Sequence, residues 1–415
     1  MTKNGIIKIA YVSQNSRAFN FGVGLAEGSE NREKLWNYLY GQFKNSPADK
    51  RELRVLQGFI SYCSENDNQL ADKILDSSVK DPILGEYYPL LEIYSKGDKR
   101  CIERLHESLD AGIANVFYYQ NLAYGRTHEA INDQELSALL EKIAKKDKGI
   151  PVAMEIINMR FHEKSDPSKH SAVLLNAIRN ILKAFNFSTE KRGQRDYDYR
   201  LKEITRTALA GEDGKPAAKE IINNFLSAVS KGGVYSFDYP DFLNKFAAIQ
   251  PRVFLDSVLD NKDLAEHHHR RLFSNDFDRN ENPLNQISET LLIEWCEEDP
   301  AERYPLIASA IQVFTEDKSG GEAKWKDIIY TIFQQAPKLT DILNNLADAI
   351  VPMSWSGSRA TIMDSRKILF SDLFEHENEE IRSWAREQYA ITEENIRKER
   401  QYELSRSRDM HESFE

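Results

Sequence analysis

The sequence predicts an all-α protein, an α-solenoid of degenerate HEAT-like helix hairpins. Three observations carry that reading. From residue 31 onward, apolar residues recur at intervals of three and four, the period of one buried helical face. Each such run is ended by Gly, Pro, Asn or Asp, which break or cap helices. Helix pairs recur about every 35–45 residues, the range of HEAT-like units, although neither the TPR nor the ankyrin residue pattern is present.

Residues 1–30 differ from the rest. Ile6, Ile7, Ile9, Ala10, Tyr11 and Val12 make the one short apolar run able to be a strand, and Gly22, Gly24 and Gly28 follow it. A strand followed by glycines invites a phosphate-binding reading. The spacing, however, is G-x-G-x-x-x-G, and neither a βαβ unit nor a Walker lysine follows. The segment is therefore read as an irregular entry to the solenoid. Residues 31–185 form the N-terminal repeat half. There Leu35, Trp36, Leu39, Tyr40 and Phe43 share one face, and Leu136, Leu139, Leu140 and Ile143 share another. Residues 186–200 lack a sustained apolar face and predict a polar loop. Residues 201–415 form the C-terminal half, which ends in a long charged helix.

The stretch 337–415 reads most clearly. Leu339, Ile342, Leu343, Leu346, Ala347 and Ile350 line one face of a helix that opens at Pro337. Pro352 stops it, and the loop Ser354, Trp355, Ser356, Gly357, Ser358 follows. Gly357 is expected to supply a positive φ, and Ser356 or Ser358 to cap the next helix. Trp355, large and apolar between two buried faces, is expected to lie in the core and lock the helix pair. Ile381, Trp384, Ala385 and Tyr389 begin a third helix after His376.

The run Ile350-x-Pro352-x-Ser354-Trp355-Ser356-Gly357-Ser358, with Arg366, Leu369, Leu373, then Ile381-Arg382-x-Trp384-Ala385 and a charged closing helix, resembles the C-terminal end of large bacterial anti-phage proteins. In those, a helical-repeat sensor region follows a STAND-type NTPase module. The resemblance covers about the last eighty residues and implies a sensor or scaffold role. This chain carries no Walker A motif and no effector signature. The resemblance therefore implies that any NTPase or nuclease activity belongs to another chain or to a further N-terminal portion.

The 415 residues call for at least two domains or an extended array. No run approaches the ~18–20 apolar residues that span a bilayer, and the N-terminus lacks a signal-peptide pattern. A cytoplasmic protein without membrane contact is expected. Cys63, Cys101 and Cys296 are far apart and none belongs to a C-x-x-C pair, which predicts buried thiols rather than disulfides or a zinc knuckle. The net charge of -11 disfavours a surface that tracks nucleic-acid phosphates along its whole length.

Candidate chemistry is sparse. His267, His268 and His269 are consecutive, so on a helix they point three ways rather than sharing a face as metal ligands do. Glu297, Glu298 and Asp299, and Glu377, Glu379 and Glu380, cluster near predicted helix starts and read as dipole partners. No nucleophile elbow, cofactor motif or metal-ligand spacing occurs, so the chain is read as a non-enzyme without cofactor. Two aromatic groups are candidates for holding a partner. Tyr197 and Tyr199 interleave with Lys191, Arg192, Arg195 and Arg200; Tyr235, Phe237, Tyr239 and Phe242 crowd around Pro240. The expected function is a protein-binding module, a sensor or scaffold, whose partner is an effector subunit or a foreign protein. The alternatives are a nucleic-acid binder and a cryptic hydrolase.

Overall fold

The computed structural model describes residues 16–124, 127–162, 166–188, 194–235, 238–262, 272–273, 282–316, 323–352 and 355–412. The fold is all-α: among the described residues the one sheet is a hairpin of two two-residue strands, β1 (Phe314–Thr315) and β2 (Lys324–Trp325), antiparallel with Phe314 opposite Trp325. The chain divides into two compact units, Met1–Phe185 and Asn186–Glu415. No helix among the described residues is long and apolar enough to cross a membrane.

The first unit is built from α1 (Ser16–Glu27), α2 (Arg32–Asn45), α3 (Leu53–Asn66), α4 (Asn68–Ser78), α5 (Tyr88–Glu92) and α6 (Lys99–Ala111). The short α7 (Asn121–Tyr124) and α8 (Thr127–Ala130) follow, then α9 (Asp133–Ala144), α10 (Gly149–His162) and α11 (Ala172–Lys183). Starts are set by side-chain caps. Asn31, Asp67, Asp98, Asn132 and Ser171 each accept a backbone N–H from the first turn of the helix that follows. Gly112 closes α6 at φ +65, where a Cβ would be strained.

The opening of the chain corrects the sequence reading. Residues 16–27 are not an irregular entry but a helix packed along α3. A Cβ on Gly22 would lie 2.1 Å from the Val55 carbonyl oxygen, and one on Gly58 would lie 2.0 Å from that of Phe19. The two backbones therefore touch, and Gly22 serves helix packing rather than a phosphate loop. The predicted strand at 6–12 lies outside the described residues.

The second unit contains α12 (Gln194–Ala208), α13 (Lys215–Ser230), α14 (Pro240–Ile249) and α15 (Pro251–Phe254), the last running into one π turn over Leu255–Leu259. After these come α16 (Glu289–Glu297), α17 (Pro300–Ala310), the hairpin, α18 (Asp327–Gln335), α19 (Thr340–Ile350), α20 (Arg359–Arg366), α21 (Ile368–Ser371) and α22 (Glu379–Glu412). In both units extensive packing joins a helix to the next but one: α1 to α3, α9 to α11, α12 to α14, α17 to α19, α20 to α22.

The loop expected at 186–200 is corrected over 194–200; residues 186–188 lie outside any helix, and 189–193 lie outside the described residues. Helix α12 begins at Gln194, and Phe187 is buried. The helix turns Tyr197, Asp198 and Leu201 inward and leaves Tyr199 exposed, so polarity in this stretch does not sort by helical face.

Candidate functional site

The connection between α19 and α20 carries the exposed Trp355. Helix α19 buries Ile342, Leu343, Leu346 and Ile350, and Pro352 ends its run. Gly357 takes φ +84, as its place before a cap requires. The Ser358 hydroxyl accepts the Thr361 N–H at 3.1 Å and so caps α20. A second residue completes the cap from far along the chain. Glu403 on α22 accepts the Ser358 hydroxyl at 2.8 Å and the Ala360 N–H at 3.1 Å. The Ala360 amide, then the Ser358 hydroxyl, holds the Glu403 carboxyl below its usual range. Glu399, one turn earlier, pairs with Arg359 at 3.2 Å. Beneath them Ala360 and Met363 of α20 meet Ile396 of α22.

Trp355 does not enter that core. It is 47 % exposed, with the Arg359 guanidinium 4.7 Å from its ring centroid. The expectation of a buried, helix-locking tryptophan is corrected: the ring lies half in water beside Arg359, while Ala360 and Met363 of α20 pack with Ile396 of α22. The result is an indole stacked on a cation. The cation is held by a carboxylate, on a loop clasped at its cap. Ser356 is exposed, and Ser354 lies outside the described residues.

The other candidate aromatics separate into two kinds. Tyr239 and Phe242 are 1 % and 0 % exposed and belong to the core. They pack with Phe187 and Phe225 as a ring cluster whose centroids lie 5.3–6.0 Å apart. Tyr197 is buried as well, because it falls on the α12 face turned to the core. These three are corrected from partner-binding to structural residues. Tyr199 and Tyr235 are exposed, Tyr199 with the Lys202 ammonium 5.9 Å from its ring. Phe237 lies outside the described residues.

Between the two tyrosines of α12 stands a residue that the sequence reading passed over. Buried Asp198 accepts the N–H groups of Asp241 at 3.1 Å and Phe242 at 2.8 Å, capping α14 from another helix. Removing it in Asp198→Ala leaves two helix-start amides without this partner and is expected to cost about 2 kcal/mol in denaturant melts. Burial pushes the Asp198 carboxyl up to about 6, against the two amide hydrogen bonds. The folded state therefore keeps a proton that an unfolded aspartate loses near pH ~4, and this group's contribution to stability falls as pH rises toward about 6. The wild-type margin over Asp198→Asn in thermal melts is expected to shrink between about pH 4 and about pH 7. A margin that widens would show the carboxylate held ionised.

The clustered carboxylates are occupied structurally. Glu297 accepts the Tyr304 hydroxyl, and Glu298 pairs with Arg252 and, at 2.8 Å, with Arg303. Arg303 in turn lies 4.3 Å from the Trp295 ring centroid, and the Trp295 indole donates to Asp256 at 2.8 Å. Asn378 caps α22 by accepting the Glu380 N–H at 2.9 Å, and Glu379 pairs with Arg382. Among the described residues no three His, Cys, Asp or Glu side chains are grouped to hold a metal ion; His267, His268 and His269 lie outside them. The three cysteines are free and buried, and burial pushes the Cys63 thiol up to about 11. Compared with protein-family models, curated proteins and solved structures, the chain matches none at a significant level.

Proposed function

We propose that the chain is a non-catalytic binding module, built of stacked HEAT-like helix hairpins, that recognises another protein through the Trp355 loop. One observation carries the reading: a half-exposed tryptophan beside the Arg359 guanidinium, which Glu399 holds, three residues before a helix cap fixed by Ser358 and Glu403. Trp and Arg are the residues most enriched at the energetic centres of protein interfaces. A clasped loop also loses little freedom on binding, which raises affinity at a given contact area. The helix to next-but-one-helix packing supports a hairpin array. A sensor or scaffold role in a bacterial anti-phage assembly is the part of the proposal that rests on the resemblance of residues 337–415 alone.

The test pairs capture with stability. Trp355→Ala is expected to change the melting free energy by about 1 kcal/mol or less, because the ring is half in water and its cation contact is an exposed one. It is expected to weaken binding to a co-purifying protein partner by roughly 30-fold, as loss of an interface centre of about 2 kcal/mol would do. A melting loss of about 3 kcal/mol or more would return Trp355 to the core. A second reading, nucleic-acid binding, is favoured by exposed Tyr199 beside Lys202. Recovery of nucleic acid alone, with steep salt dependence, would select it over a protein partner.

A further inference from the structure

Away from the Trp355 loop, the second unit has a cleft of about 150 Å³ between the turn before α16, the end of α17 and the start of α18. Its floor is aliphatic: Leu284, Leu292, Ile311 and Ile328 are each 6 % exposed or less. Its rim is polar and carries opposite charges, the Lys326 ammonium and the Glu289 carboxylate, beside the Asn285 carboxamide. Lys326 is half-buried. Among the described residues it forms no ion pair, and it donates to Asn285 Oδ1 at 3.3 Å. Burial holds its amine below the usual lysine range, with Glu289 acting in the opposite direction. An ammonium so placed gains from an anion brought to it.

We propose that this cleft binds a small zwitterion with a branched aliphatic body, a free aliphatic α-amino acid, with its carboxylate on Lys326, its ammonium toward Glu289 and its side chain on the aliphatic floor. The volume suits the aliphatic side chain alone, since cavities of about 150 Å³ take groups up to the size of benzene, and leaves the charged ammonium and carboxylate at the polar rim. Charge decides the class. A plain carboxylate meets repulsion from Glu289 and a plain amine meets repulsion from Lys326, whereas the zwitterion pairs with both. The inference is independent of the Trp355 reading and concerns a separate place on the unit.

Isothermal titration of the full chain with L-leucine, 4-methylpentanoate and 3-methylbutylamine tests it. L-Leucine is expected to bind saturably, and each singly charged analogue at least about tenfold more weakly. Lys326→Met and Glu289→Gln are each expected to weaken L-leucine by about tenfold or more, with circular dichroism unchanged. Glu289 is exposed, so Glu289→Gln decides the matter where Lys326→Met does not fold. No saturable heat with L-leucine overturns the proposal. So does 4-methylpentanoate binding as tightly as L-leucine, or L-leucine affinity unchanged in Glu289→Gln.

Discussion

Arg104→Met is expected to destabilise the first unit by about 3–5 kcal/mol. The Arg104 side chain is 4 % exposed and its partner Glu92 is 0 % exposed. The guanidinium makes a fork, Nε to Oε2 at 3.0 Å and Nη2 to Oε1 at 2.9 Å, while Nη1 reaches Asp72 at 2.8 Å and Asp76 at 3.3 Å. Glu92 also accepts the buried Tyr88 hydroxyl. With Met at position 104 the apolar stem is kept, and what is lost is the compensation of a carboxylate that water does not reach. The double variant Arg104→Met with Glu92→Gln removes that charge and keeps an acceptor for Tyr88. It is expected to recover at least about 1 kcal/mol relative to the single variant in urea melts. A single-variant loss below about 1 kcal/mol would mean that the pair is solvated in solution.

Gly58→Ala is expected to cost about 3 kcal/mol, and Gly22→Ala a similar amount, although alanine is the better helix former. At both positions a methyl group would sit on a carbonyl oxygen of the neighbouring helix, Phe19 in one case and Val55 in the other. Backbone cannot swing aside as a side chain does, so α1 and α3 would have to part. Gly24 supplies the internal control, being on the same helix α1 with nothing within 4 Å of its added Cβ. Gly24→Ala is expected to stabilise by about 0.5–1 kcal/mol through helix propensity. Equal responses at Gly22 and Gly24 in parallel melts would sink the close-contact account.

These two glycines show where legibility ends. Gly22 and Gly24 look alike in sequence, and only the element across from them, brought from more than thirty residues away, tells a contact from open space. The helical faces were legible for the opposite reason: the period of Leu339, Ile342, Leu343, Leu346, Ala347 and Ile350 is local, and all but half-buried Ala347 are buried. Of the Trp355 loop, the Gly357 turn and the Ser358 cap follow from local backbone rules, and both were readable. Whether the indole points inward was not readable, because its Arg359 partner is in turn held by Glu399, forty residues on. Glu403 and Asp198 were unreadable as caps because each serves a helix about forty residues distant. The alternation Tyr197, Asp198, Tyr199 looked like a loop because a charge on a buried helical face counts against burial until its partners are known.

The clasp of Ser358 and Ala360 by Glu403 ties two events into one equilibrium. The local Ser358 cap of α20 stands by itself, but its second half, the Glu403 carboxylate, is present only while the last turns of α22 are wound, since a frayed residue 403 cannot present both oxygens to Ser358 and Ala360. Winding those turns and ordering the Trp355 loop therefore draw on shared free energy, and thermodynamic reciprocity binds them. Whatever grips the indole also suppresses fraying at the far end of a helix of 34 residues, and whatever unwinds that end loosens the grip.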